Sequence, residues 1–196
     1  MCGRAIRENF LRNARFLARI PYEIKMTNSD FEALIRRHEA MVYSIAFHFF
    51  RDSGVAEEAA QDVFLQLYLN RSNVTSDDHI VAWLRKTTAH RCIDLLRHRK
   101  VQGEVQMDDL PDVARDPAAT DSLMKEHLWR LIGSLPVKQR MIMILRYGED
   151  MEVDDIAGAM QMPVRTVWSH LQRSIALLKD KASRPPGKEN YEPVRK

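Results

Sequence analysis

From Ser29 onward, apolar side chains return every three or four positions, the spacing that lines one face of an α-helix. Ser29 and Glu32 have capping-box spacing, and Phe31, Leu34, Ile35, Val42, Ile45 and Phe49 follow at helical intervals up to Asp52, Ser53 and Gly54. A second helix is expected from about Ala56 to Asn70. After the polar stretch Arg71 to Asp78, a third begins near His79 with Ile80, Leu84, Cys92 and Leu95 on one face and Trp83, Lys86, His90 and Arg97 opposite. Val101 to Asp121 loses the period and carries Gly103, Pro111 and Pro117, which predicts a flexible connector. Helices resume at about Ser122 to Gly133 and Pro136 to Tyr147, with Pro136 at a tolerated first-turn position. From Val153 to Lys179 the pattern is a short helix with Ile156, Ala157 and Met160 inward, a turn at Met162 and Pro163, and a second helix anchored by Val164, Val167, Leu171, Ile175 and Leu178.

The expected fold is therefore all-α, with two small helical domains joined by a flexible linker. The boundaries read as a basic extension over 1–25, a first domain over 26–100, a linker over 101–121, a second domain over 122–182 and a disordered tail over 183–196. Hydrophobic residues make up 45% and charged residues 29% of the 196, and no run approaches the roughly 20 apolar residues of a membrane span, so a cytoplasmic protein without membrane insertion is expected. Only Cys2 and Cys92 are present, too few for a disulfide framework or a four-cysteine zinc site. Cys92 reads as a small buried apolar residue. No metal and no cofactor is expected.

Net charge is only +3, but its distribution is informative. Arg85 to Lys100 holds six cations against Asp94, whereas Val101 to Asp121 holds six anions against Arg115. A basic helix followed by an acidic, Pro-containing stretch fits a nucleic-acid surface joined to a linker, although two solvated charge runs would look the same. On the third helix, Trp83 among Lys86, His90 and Arg97 suits single-stranded DNA, since bases stack on the ring and cations meet phosphates. A packed Trp with a solvated basic edge is the competing reading. On the last helix, Arg165, Thr166, Ser169, His170, Gln172 and Arg173 point away from the core, and a helix so furnished can enter a major groove. A plain helical hairpin with a polar outer face is the alternative there.

At these residues the chain resembles the extracytoplasmic-function (ECF) sigma factors, over most of residues 30 to 180. Leu135-Pro136, Arg140, Asp155-Ile156-Ala157, Pro163 through Thr166-Val167, Leu171 and Arg173 are similar to the family's region 4. Ala56-Glu57-Glu58 with Gln61-Asp62-Val63-Phe64 resembles the polymerase-clamp segment of region 2, and Trp83-Leu84 through Asp94 to Arg99 the promoter-melting helix. The resemblance implies that Glu58, Gln61, Asp62 and Phe64 meet the clamp of the polymerase β′ subunit, with the β flap as a further contact. It implies that Arg71, Ser72 and Asn73, in the loop Arg71 to Asp78 that captures a flipped base, join Trp83, Lys86, His90 and Arg97 on the melted element. Arg165, Thr166, Ser169, His170 and Arg173 would read the distant promoter element, and the acidic linker would lie in the RNA-exit path. The implied function is promoter-specific initiation with core RNA polymerase, under control of an anti-sigma factor. Departures are Gln161 where the family has Gly, Arg165 where it has a small residue, Trp168 where it is basic, and Ile175 and Ala176 where it carries a basic stretch. Trp168 reads as a packing or sugar-contact position.

Two other functions fit less of the chain. A stand-alone helix-turn-helix regulator explains Val153 to Lys179 but gives Glu58 to Phe64 and the Trp83 helix no joint purpose. An enzyme would need a zincin pair, a phosphate loop or a nucleophile motif, and none is found in the sequence. His38 and His48, in an otherwise apolar helix, read as packed or edge residues rather than ligands.

Overall fold

The computed structural model describes residues 28–70, 77–102 and 120–183, which form seven α-helices without a strand among them. The amino-terminal extension, the loop residues 71–76 with Arg71, Ser72 and Asn73, residues 103–119 of the linker, and the tail after Ser183 lie outside the described residues.

Helix α1 (Asn28–Phe50) ends where Arg51 turns to φ 59° and donates its backbone N–H to the Phe47 carbonyl at 2.7 Å. Asp52 then accepts the Val55 N–H through its carboxylate at 2.9 Å, capping α2 (Ser53–Asn70). Helix α3 (Asp77–Val101) closes the amino-terminal bundle. Its core is Phe31, Ile35 and Val42 from α1, Ala60, Val63, Phe64 and Leu67 from α2, and Ile80 and Leu84 from α3.

The carboxy-terminal half comprises α4 (Thr120–Gly133), α5 (Val137–Tyr147), α6 (Val153–Met160) and α7 (Val164–Ser183). Pro136 sits at the N-cap of α5 rather than in its first turn, with φ −52° and ψ 142°. Helices α6 and α7 form the expected helix-turn-helix, and Val167, Leu171, Ser174 and Leu178 form the buried row of α7. Ile175 and Val164, expected among the anchors, lie at the edge of that row and are 36% and 38% exposed.

The two halves are in contact. Ala89, Cys92, Leu95 and Leu96 of α3 belong to one buried cluster with Trp129, Ile142, Val153, Ile156 and Met160. Cys92 thus sits with a different set of side chains from Ile80 and Leu84, its expected neighbours; burial raises its thiol pKa far above the ordinary value. Polar groups fasten the same seam. Arg140 Nη1 donates to the Phe49 carbonyl at 3.1 Å and its guanidinium lies 5.3 Å from the Phe49 ring centre, while burial lowers its pKa to about 10. The His48 and Trp129 rings stack at 3.8 Å. Arg85 Nη2 donates to the Glu149 carbonyl at 3.3 Å. Gly148 permits this packing, since a Cβ there would stand 2.7 Å from the Ile144 carbonyl oxygen and 3.3 Å from the Trp129 ring.

The turn between α6 and α7 carries a strained residue. Gln161 is left-handed, with φ 52° and ψ 48°, and its N–H caps α6 at the Ala157 and Gly158 carbonyls. A Cβ is disfavoured in that conformation, which is why glycine is the usual helix-ending residue. Gln161→Gly should therefore stabilise the chain by about 0.5 to 1 kcal/mol, less than the full strain because glycine also gains freedom when unfolded. Thermal or urea unfolding checks this: a variant no more stable than the parent would mean that the Gln161 side chain compensates its backbone strain.

Candidate nucleic-acid and polymerase interfaces

On α7, the core row fixes which side chains can face a partner. Arg165, Gln172 and Arg173 are exposed, whereas Thr166, Ser169 and His170 are half-buried. Ser169 donates its hydroxyl to the Arg165 carbonyl at 3.0 Å, so it lies close along the helix and leaves its oxygen lone pairs outward. Ser174 is fully buried, its hydroxyl turned to the His170 carbonyl at 2.8 Å.

The outward row predicted from sequence divides into two strips. Successive residues turn by about 100°, so Val164, Arg165, Trp168, Ser169 and Gln172 adjoin, while Thr166, His170 and Arg173 form the neighbouring strip. His170 leans toward α5, where burial first, then the charges of Arg173 and Lys138, lower its pKa below 6.5. Trp168 is 51% exposed and does not pack into the core. It is the feature of this face that the predicted row omitted; its place one turn after Val164 and three residues after Arg165 was the available signal.

On α3, Trp83, His90 and Arg97 are seven residues apart and so share one strip, with Lys86 beside it. Trp83 packs in part against the amino-terminal core, Lys86 and His90 are half-buried, and Arg97 is exposed with an ion pair to Asp94 at 2.9 Å. Trp83 is thus packed in part and accessible in part.

On α2, Glu58 is exposed and accepts from Arg99 Nη2 at 3.0 Å. Asp62 accepts from Arg91 Nε at 2.8 Å, with a second contact from the same guanidinium. Gln61 is half-buried between them. These pairs tie α2 to α3 and leave carboxylate oxygens at the surface. Phe64 does not belong to this face. It is fully buried within the row Ala60, Val63, Phe64 and Leu67, so the expectation that it meets the clamp is corrected. No helix among the described residues is long and apolar enough to cross a membrane, and they include no His, Cys, Asp or Glu cluster suited to a metal.

Comparison with known proteins yields two family matches in order. Residues 34–101 match the model for Sigma-70 region 2, and residues 125–178 match that for Sigma-70, region 4. The RNA polymerase sigma-E factor of Streptomyces avermitilis is 26% identical over 151 residues, spanning 77% of this chain and 84% of that protein. The ECF RNA polymerase sigma factor SigM of Mycobacterium tuberculosis is 26% identical over 148 residues, or 76% of this chain and 74% of that protein. Among solved structures, the sigma factor RpoE of Bartonella quintana, in complex with the anti-sigma factor NepR, superposes with TM-score 0.65 at 20% identity over 79% of this chain and 99% of that one. CnrH in complex with the cytosolic domain of CnrY gives TM-score 0.59 at 16% identity over 94% and 100%. At those identities the two structures share the fold.

The position of His170 has a consequence for pH. Its lowered pKa means that the unfolded chain binds the proton more readily, so its contribution to stability is complete above pH 6.5 and is lost as pH falls through the lowered value. His170→Gln should therefore flatten the pH dependence of stability just below pH 6.5. Urea unfolding at a series of pH values reads this, and an unchanged slope would refute the assignment; the similarly lowered His38 remains in both proteins as the internal reference.

Proposed function

Because the chain belongs to the sigma-70 family, with its region 2 and region 4 matches together taking in most of the helices described, we infer that it is an initiation factor of the ECF type. It binds core RNA polymerase and directs it to particular promoters. One observation carries this reading: both regions occur in one chain, in the family's order, each on its own set of helices. A regulator acting through its helix-turn-helix alone would have no use for region 2.

The division of labour follows from the surfaces. Residues 26–100 engage the polymerase clamp through Glu58, Gln61 and Asp62, and melted promoter DNA through Trp83, Lys86, His90 and Arg97. Stacking a splayed base on a ring offsets the few kcal/mol that unstacking costs. Residues 122–182 meet duplex DNA with α7, where Arg165, Thr166 and Ser169 near its amino terminus reach base edges and Arg173 meets phosphate. The factor performs no chemistry itself and acts in the cytoplasm, where its polymerase is. Regulation by an anti-sigma factor is supported by a shared fold with RpoE, solved bound to NepR.

The deciding experiment is transcription in vitro from a promoter of the factor's own operon, where a specific transcript is expected only when both the chain and core polymerase are present. Within that assay Glu58→Lys should weaken core binding about tenfold, a loss of about 1.4 kcal/mol. Its fold should persist, since an exposed ion pair such as that with Arg99 contributes at most about 1 kcal/mol. Undiminished affinity for core in a pull-down titration, with unchanged circular dichroism, would remove Glu58 from the clamp surface.

A further inference from the structure

The chain has three tryptophans, and they are placed unequally: Trp129 is buried in the seam, Trp83 is half-buried against the amino-terminal core, and Trp168 stands 51% exposed on α7. One turn before it, Val164 is 38% exposed on the same side. The pair makes an apolar step in the amino-terminal half of the second helix of a helix-turn-helix, the part that enters a major groove. Arg165, Ser169 and Gln172 flank it. About half of Trp168 stays open to solvent, outside the buried row of Val167 and Leu171.

Charge indicates what covers the step. From Val164 to Lys179 the helix carries Arg165, Arg173 and Lys179 and not one carboxylate. That surface suits a polyanion. Within the major groove, base edges offer hydrogen-bonding atoms and a single apolar group, the C5-methyl of thymine. A basic side chain at this position would pair with phosphate or guanine, but an indole has only one N–H to donate and otherwise presents carbon.

We propose that Trp168, backed by Val164, is a specificity residue that selects thymine through its C5-methyl group in the promoter element met by α7. The proposal rests on the reading of α7 as the duplex-recognition helix and adds what that helix selects.

The test uses the full chain reconstituted with core polymerase. Promoters are first selected from a library randomised across the distant element, and each selected thymine is then replaced singly by deoxyuridine, which removes only the methyl group. Wild type should lose about fourfold in affinity at one or two positions, the loss expected for one buried methyl-sized group. At those positions Trp168→Ala should bind thymine and deoxyuridine alike. Trp168→Lys should also fail to distinguish them, even where new phosphate contacts restore overall affinity. The proposal is overturned if wild type is indifferent to the methyl at every position, if selection enriches no thymine, or if Trp168→Ala keeps the wild-type preference. A library that returns no sequence preference whatever in this element would instead refute the reading of α7 itself. Because Trp168 lies outside the core, circular dichroism of both variants should match wild type.

Discussion

Along α3, Ala89, Cys92, Leu95 and Leu96 are buried in one cluster with Ile45, Phe49 and Ala59 of α1 and α2 and with Ile142 and Ile156 of α5 and α6, while Ile80 and Leu84 are buried with α1 and α2 alone. A helix buried from two sides has little surface left for anything else. The strip bearing Trp83, His90 and Arg97 with Lys86 beside it lies on the surface left open, together with Ala82, Asp94, His98 and Lys100. Arg140 is the costly member of the seam. It gives up much of its hydration, and the Phe49 carbonyl and ring return only part of it, yet with a pKa of about 10 it stays charged at neutral pH. Removing its partners would leave a buried cation, a larger loss than the hydrogen bond alone.

Much of this was legible in the sequence because each helix obeys one period. The extent of α5, the buried Val167, Leu171 and Leu178 of α7 and the turn at Pro163 follow from spacing and proline chemistry, whereas α2 begins three residues before the expected Ala56 and Ser174, not Val164 or Ile175, completes the α7 row. Phe64 departs from the clamp surface because the helical period sets it inward with Ala60, Val63 and Leu67, which a segment's family resemblance does not distinguish from its outer face. Cys92 is a different case: the period shows that it is inward but not that its cluster extends from α1 and α2 across to the carboxy-terminal helices. His170 likewise looks outward on a lone helix, and only the approach of α5 with Lys138 brings it partly inside. Such contacts between distant segments leave no local trace.

The helix-turn-helix joins these two kinds of information. Its entry angle is set by Gln161, a residue strained in the left-handed conformation, whose N–H nevertheless closes α6. The turn therefore tolerates backbone strain to hold a fixed geometry between α6 and α7, and α6 is itself held by α3. Position on α7 is thereby referred back to the amino-terminal bundle through packed helices rather than through a hinge. On such a support, whether a side chain can reach a base edge or a phosphate depends on how near it lies to the amino terminus of α7 and on which strip it occupies. Arg165, Trp168, Ser169 and Gln172 share one strip, whereas Thr166, His170 and Arg173 form the neighbouring one, in which His170 feels the charge of Lys138 on α5. The chemistry of the first strip, one cation, one indole and two small hydrogen-bonding groups, is narrower than the six-residue polar row suggested, and selectivity comes from such narrowing because each missing donor leaves fewer base sequences satisfied.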